Sequence, residues 1–236
     1  MIFPLFIIPF TTFLFINFVN YLFRASGLLF RYSLLGSSLS SLVKLVTLLS
    51  MQINLAYGVI LWNEYPLTDK GFNLTYPANS WFELHHSLNL PFIILSTFIL
   101  IIAVLTSWYS STNSLLLLNL FLLIEICLVG AFSCVNLFAF LLFFEASALP
   151  VFVLMVYCGS DRRERVKASY YFIFFTLYGS ISLLMVLVNA YSLYQVQYFS
   201  DSVLTSKHAA WLLLFIAFAV KIPLFPFHLW LPQAHV

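Results

Sequence analysis

Of the 236 residues in this chain, 63% are hydrophobic and only 8% charged, and the mean hydropathy is +1.02. Soluble domains carry about 25% charged residues, so this is an integral membrane protein. The formal net charge of +2 is too small for a nucleic-acid partner. Cys127, Cys134 and Cys158 lack C-x-x-C or Cys/His ligand spacing and read as packing residues, and no glycine-rich nucleotide fingerprint is present, so neither metal nor cofactor is expected on this chain.

Spans follow from apolar runs able to cross about 30 Å of hydrocarbon. The first, Ile2 to Phe23, has no basic n-region and no A-x-A site, which favours an anchor over a signal peptide. Arg24 and Arg31 follow it. The second, Leu42 to Trp62, is interrupted by Lys44, Gln52 and Asn54. A polar stretch, Asn63 to Asn89, then holds Glu64, Asp69, Lys70, Glu83, His85 and His86. Further spans are predicted at Leu90–Trp108, Ser114–Phe132, Val135–Tyr157 and Ser169–Leu193, and a seventh from Ala209 onwards. The expected architecture is an all-α, polytopic bundle of about seven spans.

Basic residues orient it. One side of the membrane receives Arg24 and Arg31, and also the Cys158–Ala168 connection with Arg162, Arg163, Arg165 and Lys167. The other side receives the acidic 63–89 stretch and the Gln195–His208 loop, where Asp201 and Lys207 cancel. The positive-inside rule places the basic connections inside and the N-terminus outside.

The final stretch, Val220 to Val236, sets Lys221, His228 and His235 among Pro223, Pro226 and Pro232, directly after the apolar run Trp211–Val220. A charge at bilayer depth is penalised by roughly 2.5–3.5 kcal/mol on insertion scales, which makes a function its default reading. The prolines cannot donate to the carbonyls of Ala219, Ile222 and His228, so a regular helix must break. Freed backbone at that depth is tolerated only inside protein or along a hydrated cavity. A broken helix with an ionisable residue at its break is the expectation, as in ion-coupled transporters. Lys221, His228 and His235 are spaced by seven residues; in a continuous helix they drift only ~20° per step and stand ~10 Å apart, a stripe that water can bridge. The alternatives are snorkelling for Lys221 and an interfacial position for the two histidines.

Two acidic residues fall inside spans, Glu125 in the fourth and Glu145 in the fifth. Each must pair, lie in a hydrated cavity or take up a proton, which suits a proton carrier. The alternative for each is a protonated carboxyl that hydrogen-bonds a neighbouring helix. A Glu145–Lys221 pair has two charge arrangements, and opening or closing it changes the proton affinity of the lysine. Such an element needs no cofactor.

Phe143-Phe144-Glu145-Ala146, Leu149-Pro150, Lys221-Ile222-Pro223-Leu224 and His228-Leu229-Trp230-Leu231-Pro232-Gln233-Ala234-His235-Val236 resemble the antiporter-like chain 4 family of respiratory complex I, NADH:ubiquinone oxidoreductase. Arg163–Ala168, Tyr170-Tyr171-Phe172 and Thr176-Leu177-Tyr178-Gly179-Ser180 are similar too. The likeness is specific from about Leu115 onwards and only hydropathic before it. It implies that Glu145 pairs with Lys221 on the broken helix of a first half-channel. His228 and His235 then belong to a hydrophilic axis, and Glu125 matches a position that is acidic in some members and an amide in others. Asn136 stands where the family usually has an acid, and His86-Ser87 where it usually has Asp-Gly.

The family has about fourteen helices in two inverted repeats, so the chain resembles its N-terminal half, with peripheral helices at 1–110 and the start of the channel repeat at 111–236. The resemblance implies a proton-translocating subunit of an inner mitochondrial membrane enzyme, with basic loops on the matrix side. NADH, flavin, iron–sulfur and quinone chemistry belong to other subunits. Implied partners are other membrane-arm subunits, lipids and a chain supplying the second half, by a split gene or by continuation of an incomplete sequence. Two other readings compete, a multisubunit cation/proton antiporter and a non-pumping assembly scaffold. Retention of Glu145 and Lys221 speaks against the scaffold.

Overall fold

The computed structural model of the chain describes residues 3–25, 32–64, 89–109, 114–157, 162–194 and 208–234. The polar 65–88 stretch, Arg31, Cys158, most of the 195–208 loop and His235 lie outside the described residues. The chain forms two compact units, Met1–Ser133 and Cys134–Val236.

The first unit contains α1 (Phe3–Ala25), α2 (Tyr32–Glu64), α3 (Asn89–Thr106) and α4 (Ser114–Ser133). Helix α2 packs on α1 and α3, and α4 packs on all three. Their shared core is Leu5, Leu61, Leu90, Ile93 and Val129. Helix α2 is 33 residues long and begins ahead of the apolar run expected from Leu42. Its buried face reads Val43, Thr47, Ser50, Met51, Asn54, Gly58 and Leu61, recurring every three to four residues and including four that are small or polar. Lipid tails are as apolar as leucine, so membrane helices associate through close packing and interhelical hydrogen bonds, which such a face supplies. The residues that interrupt this span's hydropathy are accounted for individually. Lys44 Nζ donates to the Trp108 carbonyl at 2.6 Å, tying α2 to the 3₁₀ turn Ser107–Tyr109 that follows α3. Asn54 is buried within the unit, and Gln52 is exposed.

The second unit contains α5 (Leu137–Ala146), α6 (Ala148–Tyr157), α7 (Arg162–Tyr194), α8 (His208–Lys221) and the short α9 (Trp230–Ala234). Asn136 starts α5 as its N-cap, its side-chain oxygen accepting from the Phe138 and Ala139 backbone N–H groups at 2.8 and 3.4 Å. This satisfies donors that every helix start leaves unpaired. Helix α7 is the hub of the unit, packing on α5, α6, α8 and α9. It starts at Arg162, so most of the basic connection expected at Cys158–Ala168 is its first turns. Arg165 Nη1 reaches back to the Val156 and Tyr157 carbonyls at 3.3 and 3.1 Å, capping the negative end of α6.

Five helices among the described residues are long and apolar enough to cross a membrane, with shorter apolar helices at Pro4–Val19 and Ala210–Lys221. Together these are the seven expected segments.

Candidate functional site

Two helix interruptions build the site. The fifth span is one membrane-crossing segment, Leu137–Tyr157, but it divides at Ser147 into α5 and α6. Pro150 has no N–H to offer the Ala146 carbonyl four residues earlier, so the ladder lapses there. Ser147 Oγ donates to the Phe144 carbonyl at 2.7 Å. Glu145 thus lies in the last turn before the interruption.

The second interruption ends α8. Pro223 cannot serve the Ala219 carbonyl, which instead accepts from the Leu224 N–H at 2.9 Å, a six-to-one closure typical of helix ends. That leaves the Val220 carbonyl, and the Trp230 indole N–H donates to it at 3.0 Å. Past Leu224 the chain passes a cis Phe225–Pro226 bond and a 3₁₀ turn, Phe227–Leu229, into α9. The Trp230 ring rests edge-on against Phe172 of α7 at 5.2 Å.

Lys221 is the last residue of α8, where its ammonium complements the negative end of its own helix. It is half-buried and reaches the end of α5. Its Nζ donates to the Phe144 carbonyl at 2.9 Å and lies 3.9 Å from the Phe144 ring centroid. Phe144 is held in turn by Phe140, stacked at 5.2 Å, and by Phe218, edge-on at 5.9 Å. The ammonium therefore bridges the ends of two interrupted helices through the Phe144 carbonyl.

Glu145 is within electrostatic reach of Lys221, with the Ser180 hydroxyl of α7 beside its carboxylate. Its Oε1 is buried without a hydrogen-bond partner among the described residues. The lysine is docked on the carbonyl of the neighbouring residue rather than on the carboxylate.

His228 occupies the 3₁₀ turn, stacked on Phe225 at 5.6 Å, and its Nδ1 is buried without a partner among the described residues. The break removes the common helix face expected for Lys221 and His228, because α8 ends at Lys221 and His228 lies in the separate 3₁₀ turn; His235 lies outside the described residues. Glu125 belongs to the first unit, where its Oε1 accepts from Asn54 Nδ2 at 2.8 Å. Sequence reasoning missed the Phe144 carbonyl and ring, Ser147, Ser180 and the Trp230 indole as parts of the site. Counting the carbonyls that the prolines leave unserved points to Ala219, Ile222 and His228, so it marked neither Trp230, which serves Val220, nor Phe144.

A model of the transmembrane NADH:quinone oxidoreductase/Mrp antiporter family matches residues 134–236, which coincide with the second unit. NADH-ubiquinone oxidoreductase chain 4 of Chondrus crispus is 33% identical over 192 residues, covering 76% of this chain and 39% of its own length. Two solved structures share the fold. One, respiratory complex I from Thermus thermophilus with bound NADH, holds a chain with a TM-score of 0.71 and 23% identity, covering 100% of this chain and 47% of that one. The other, an archaeal membrane-bound sulfane sulfur reductase, matches with a TM-score of 0.73 and 17% identity over 99% of this chain and 47% of that one. The chain thus spans less than half the length of the relatives it matches. Motifs, fold and relatives agree that this membrane chain is similar to chain 4 of NADH-ubiquinone oxidoreductase, its second unit matching the transmembrane NADH:quinone oxidoreductase/Mrp antiporter family.

Proposed function

We propose that the chain serves in the proton-translocating membrane arm of an NADH:ubiquinone oxidoreductase of the mitochondrial inner membrane, providing one half-channel whose switching pair is Glu145 and Lys221. One observation carries this reading. An ammonium at a helix break is docked on the Phe144 carbonyl, beside a carboxylate with an unpartnered oxygen. Swinging Lys221 from that carbonyl onto Glu145 alters how tightly each group holds a proton, so the element can take up and release protons without a cofactor. His228, and His235 beyond it, continue the polar route. Redox chemistry with NADH, flavin, iron–sulfur clusters and quinone belongs to other subunits, and neighbouring membrane-arm subunits and lipids surround the helices. The second half-channel comes from polypeptide outside these 236 residues, either a separate chain or a continuation of this one.

The test uses the native detergent-solubilised assembly. Mass spectrometry of its components should find NADH-dehydrogenase subunits together with a hydrophobic sequence similar to the second half of chain 4. A separate polypeptide carrying that sequence would establish a two-chain arrangement, and a single longer polypeptide a continuous one. In reconstituted vesicles, Lys221→Met and Glu145→Gln should each abolish most proton translocation per NADH oxidised while the assembly stays intact. Undiminished translocation in both variants would sink the switching pair. The family description also names Mrp antiporters, which supports a second reading as a cation/proton antiporter subunit. A particle without quinone-reductase subunits and with sodium-dependent proton exchange would establish that one.

A further inference from the structure

Glu125 and Asn54 are each only 1% exposed, deep in the first unit. Asn54 Nδ2 donates to Glu125 Oε1 at 2.8 Å and also reaches the Leu5 carbonyl of α1 at 3.3 Å. Two polar atoms of this joined pair are left over, Glu125 Oε2 and Asn54 Oδ1. Both are buried and without a partner among the described residues. A carboxylate oxygen and an amide oxygen are both acceptors only, so an ionised Glu125 leaves two acceptors with no donor between them. A single proton on Oε2 makes it a donor suited to the one acceptor that lacks a partner. The amide N–H then serves the carboxyl C=O and the carboxyl O–H serves the amide C=O, which is the cyclic pairing of a carboxylic acid with a primary amide.

Among the described residues no cation stands beside the pair to compensate an anion instead. The other titratable side chains carried by the helices packed around it are Tyr21, Arg24, Tyr32, Lys44, Tyr57, Glu64 and Cys127. Lys44 is committed to the Trp108 carbonyl, and tyrosine and cysteine bring no positive charge. Helix α3 has no charged residue. Arg24 is nineteen residues along α1 from Leu5, roughly 28 Å at helical rise, and Glu64, about 15 Å along α2 from Asn54, is itself acidic. A buried anion without a cation, in a span, is among the least tolerated states of a side chain.

We propose that Glu125 is a proton-binding site of the first unit, holding a proton on Oε2 that it donates to Asn54 Oδ1 in a closed carboxyl–carboxamide pair fastening α4 to α2. The proton is retained rather than passed on, because the pair leaves no further acceptor free. This role is independent of the Glu145–Lys221 reading.

Infrared spectroscopy of the native assembly in H₂O and D₂O, between about pH 5 and pH 9, tests it on the range where an exposed carboxyl is ionised. The wild type should show a protonated-carboxyl band that shifts in D₂O, persists throughout that range, disappears in Glu125→Gln and moves in Asn54→Leu. Glutamine can replace the O–H donor by an N–H donor, so Glu125→Gln should assemble at wild-type yield. Glu125→Leu leaves Asn54 Oδ1 unsatisfied and Nδ2 with only the long bond to the Leu5 carbonyl, and should lower the yield about tenfold. The proposal is overturned if Glu125→Gln removes an ionised-carboxylate band instead, if the protonated band titrates away within the range, or if Glu125→Gln assembles as poorly as Glu125→Leu. These readouts concern a vibrational band and a yield, so they stand whether or not the assembly pumps protons.

Discussion

Lys221 shows how a costly residue is accommodated at membrane depth. Its ammonium receives a carbonyl, an aromatic face and the negative ends of two interrupted helices, while the carboxylate of Glu145 remains within electrostatic reach. The carbonyls freed by the break are served in sequence, Ala219 by the Leu224 N–H and Val220 by the Trp230 indole. Trp230→Phe should keep the aromatic contact with Phe172 but leave the Val220 carbonyl orphaned. The expected destabilisation is about 1–3 kcal/mol, measured by thermal or denaturant unfolding of the native assembly in detergent. An unchanged transition would show that the indole bond contributes nothing to holding the break. Lys221 was legible in the sequence because a lysine after an apolar run has few readings. The role of the Phe144 carbonyl was not legible, since a backbone oxygen carries no residue-type signal and Phe144 sits 77 positions away.

At the scale of elements, α7 and α8 approach closely because Gly179 has no side chain. A Cβ there would lie 3.2 Å from the Ala217 carbonyl of α8 and 3.4 Å from Val220 Cβ. A backbone oxygen cannot rotate away, so Gly179→Val should push α7 from α8 and destabilise the second unit by about 1–3 kcal/mol through overpacking. At Gly58 the nearest atom is Ile94 Cγ1, also at 3.2 Å, but on a side chain that can adjust. Unfolding of the two variants compared side by side should therefore rank Gly179→Val well below Gly58→Ala in stability. Equal effects would contradict the close α7–α8 packing. The helix breaks were partly legible: three prolines after Val220 dictated an interruption, and Pro150 allowed one. Hydropathy alone could not show that the 158–168 connection begins α7 or that α2 extends back to Tyr32, because charged and serine-rich segments stay helical when a neighbour caps or extends them. Arg165, capping α6, is such a neighbour contact.

At the scale of the whole molecule, the exterior is apolar. Phe10, Phe15 and Phe18 on α1, Phe98 and Ile99 on α3, and Phe174 on α7 are each more than half exposed, as suits helices that meet lipid or partner subunits instead of water. The proposed orientation puts the start of α7, where Arg163 is exposed, on the matrix side. Cysteine placed there by Arg163→Cys should react with a membrane-impermeant maleimide in inside-out inner-membrane vesicles and be protected in sealed mitoplasts. Of the three native cysteines, Cys127 and Cys134 are buried and should contribute little background, and Cys158 is first replaced by serine because it belongs to the same connection. Labelling only from the opposite side would reverse the orientation.

The sequence by itself determined that the chain is a bundle of membrane-crossing helices, that its last described span must break near Pro223, and that Glu145, Lys221 and His228 were the residues to watch. Each of these follows from local physics, namely apolar run length, the missing proline donor and the penalty on charge in hydrocarbon. Only the tertiary structure decided what those residues touch. Lys221 rests on the Phe144 carbonyl, Trp230 serves Val220, and Glu125 joins Asn54 across 71 positions of sequence. Hydrogen-bond partners within reach are a property of how helices pack, and helical periodicity shows which face a residue occupies but not what stands opposite.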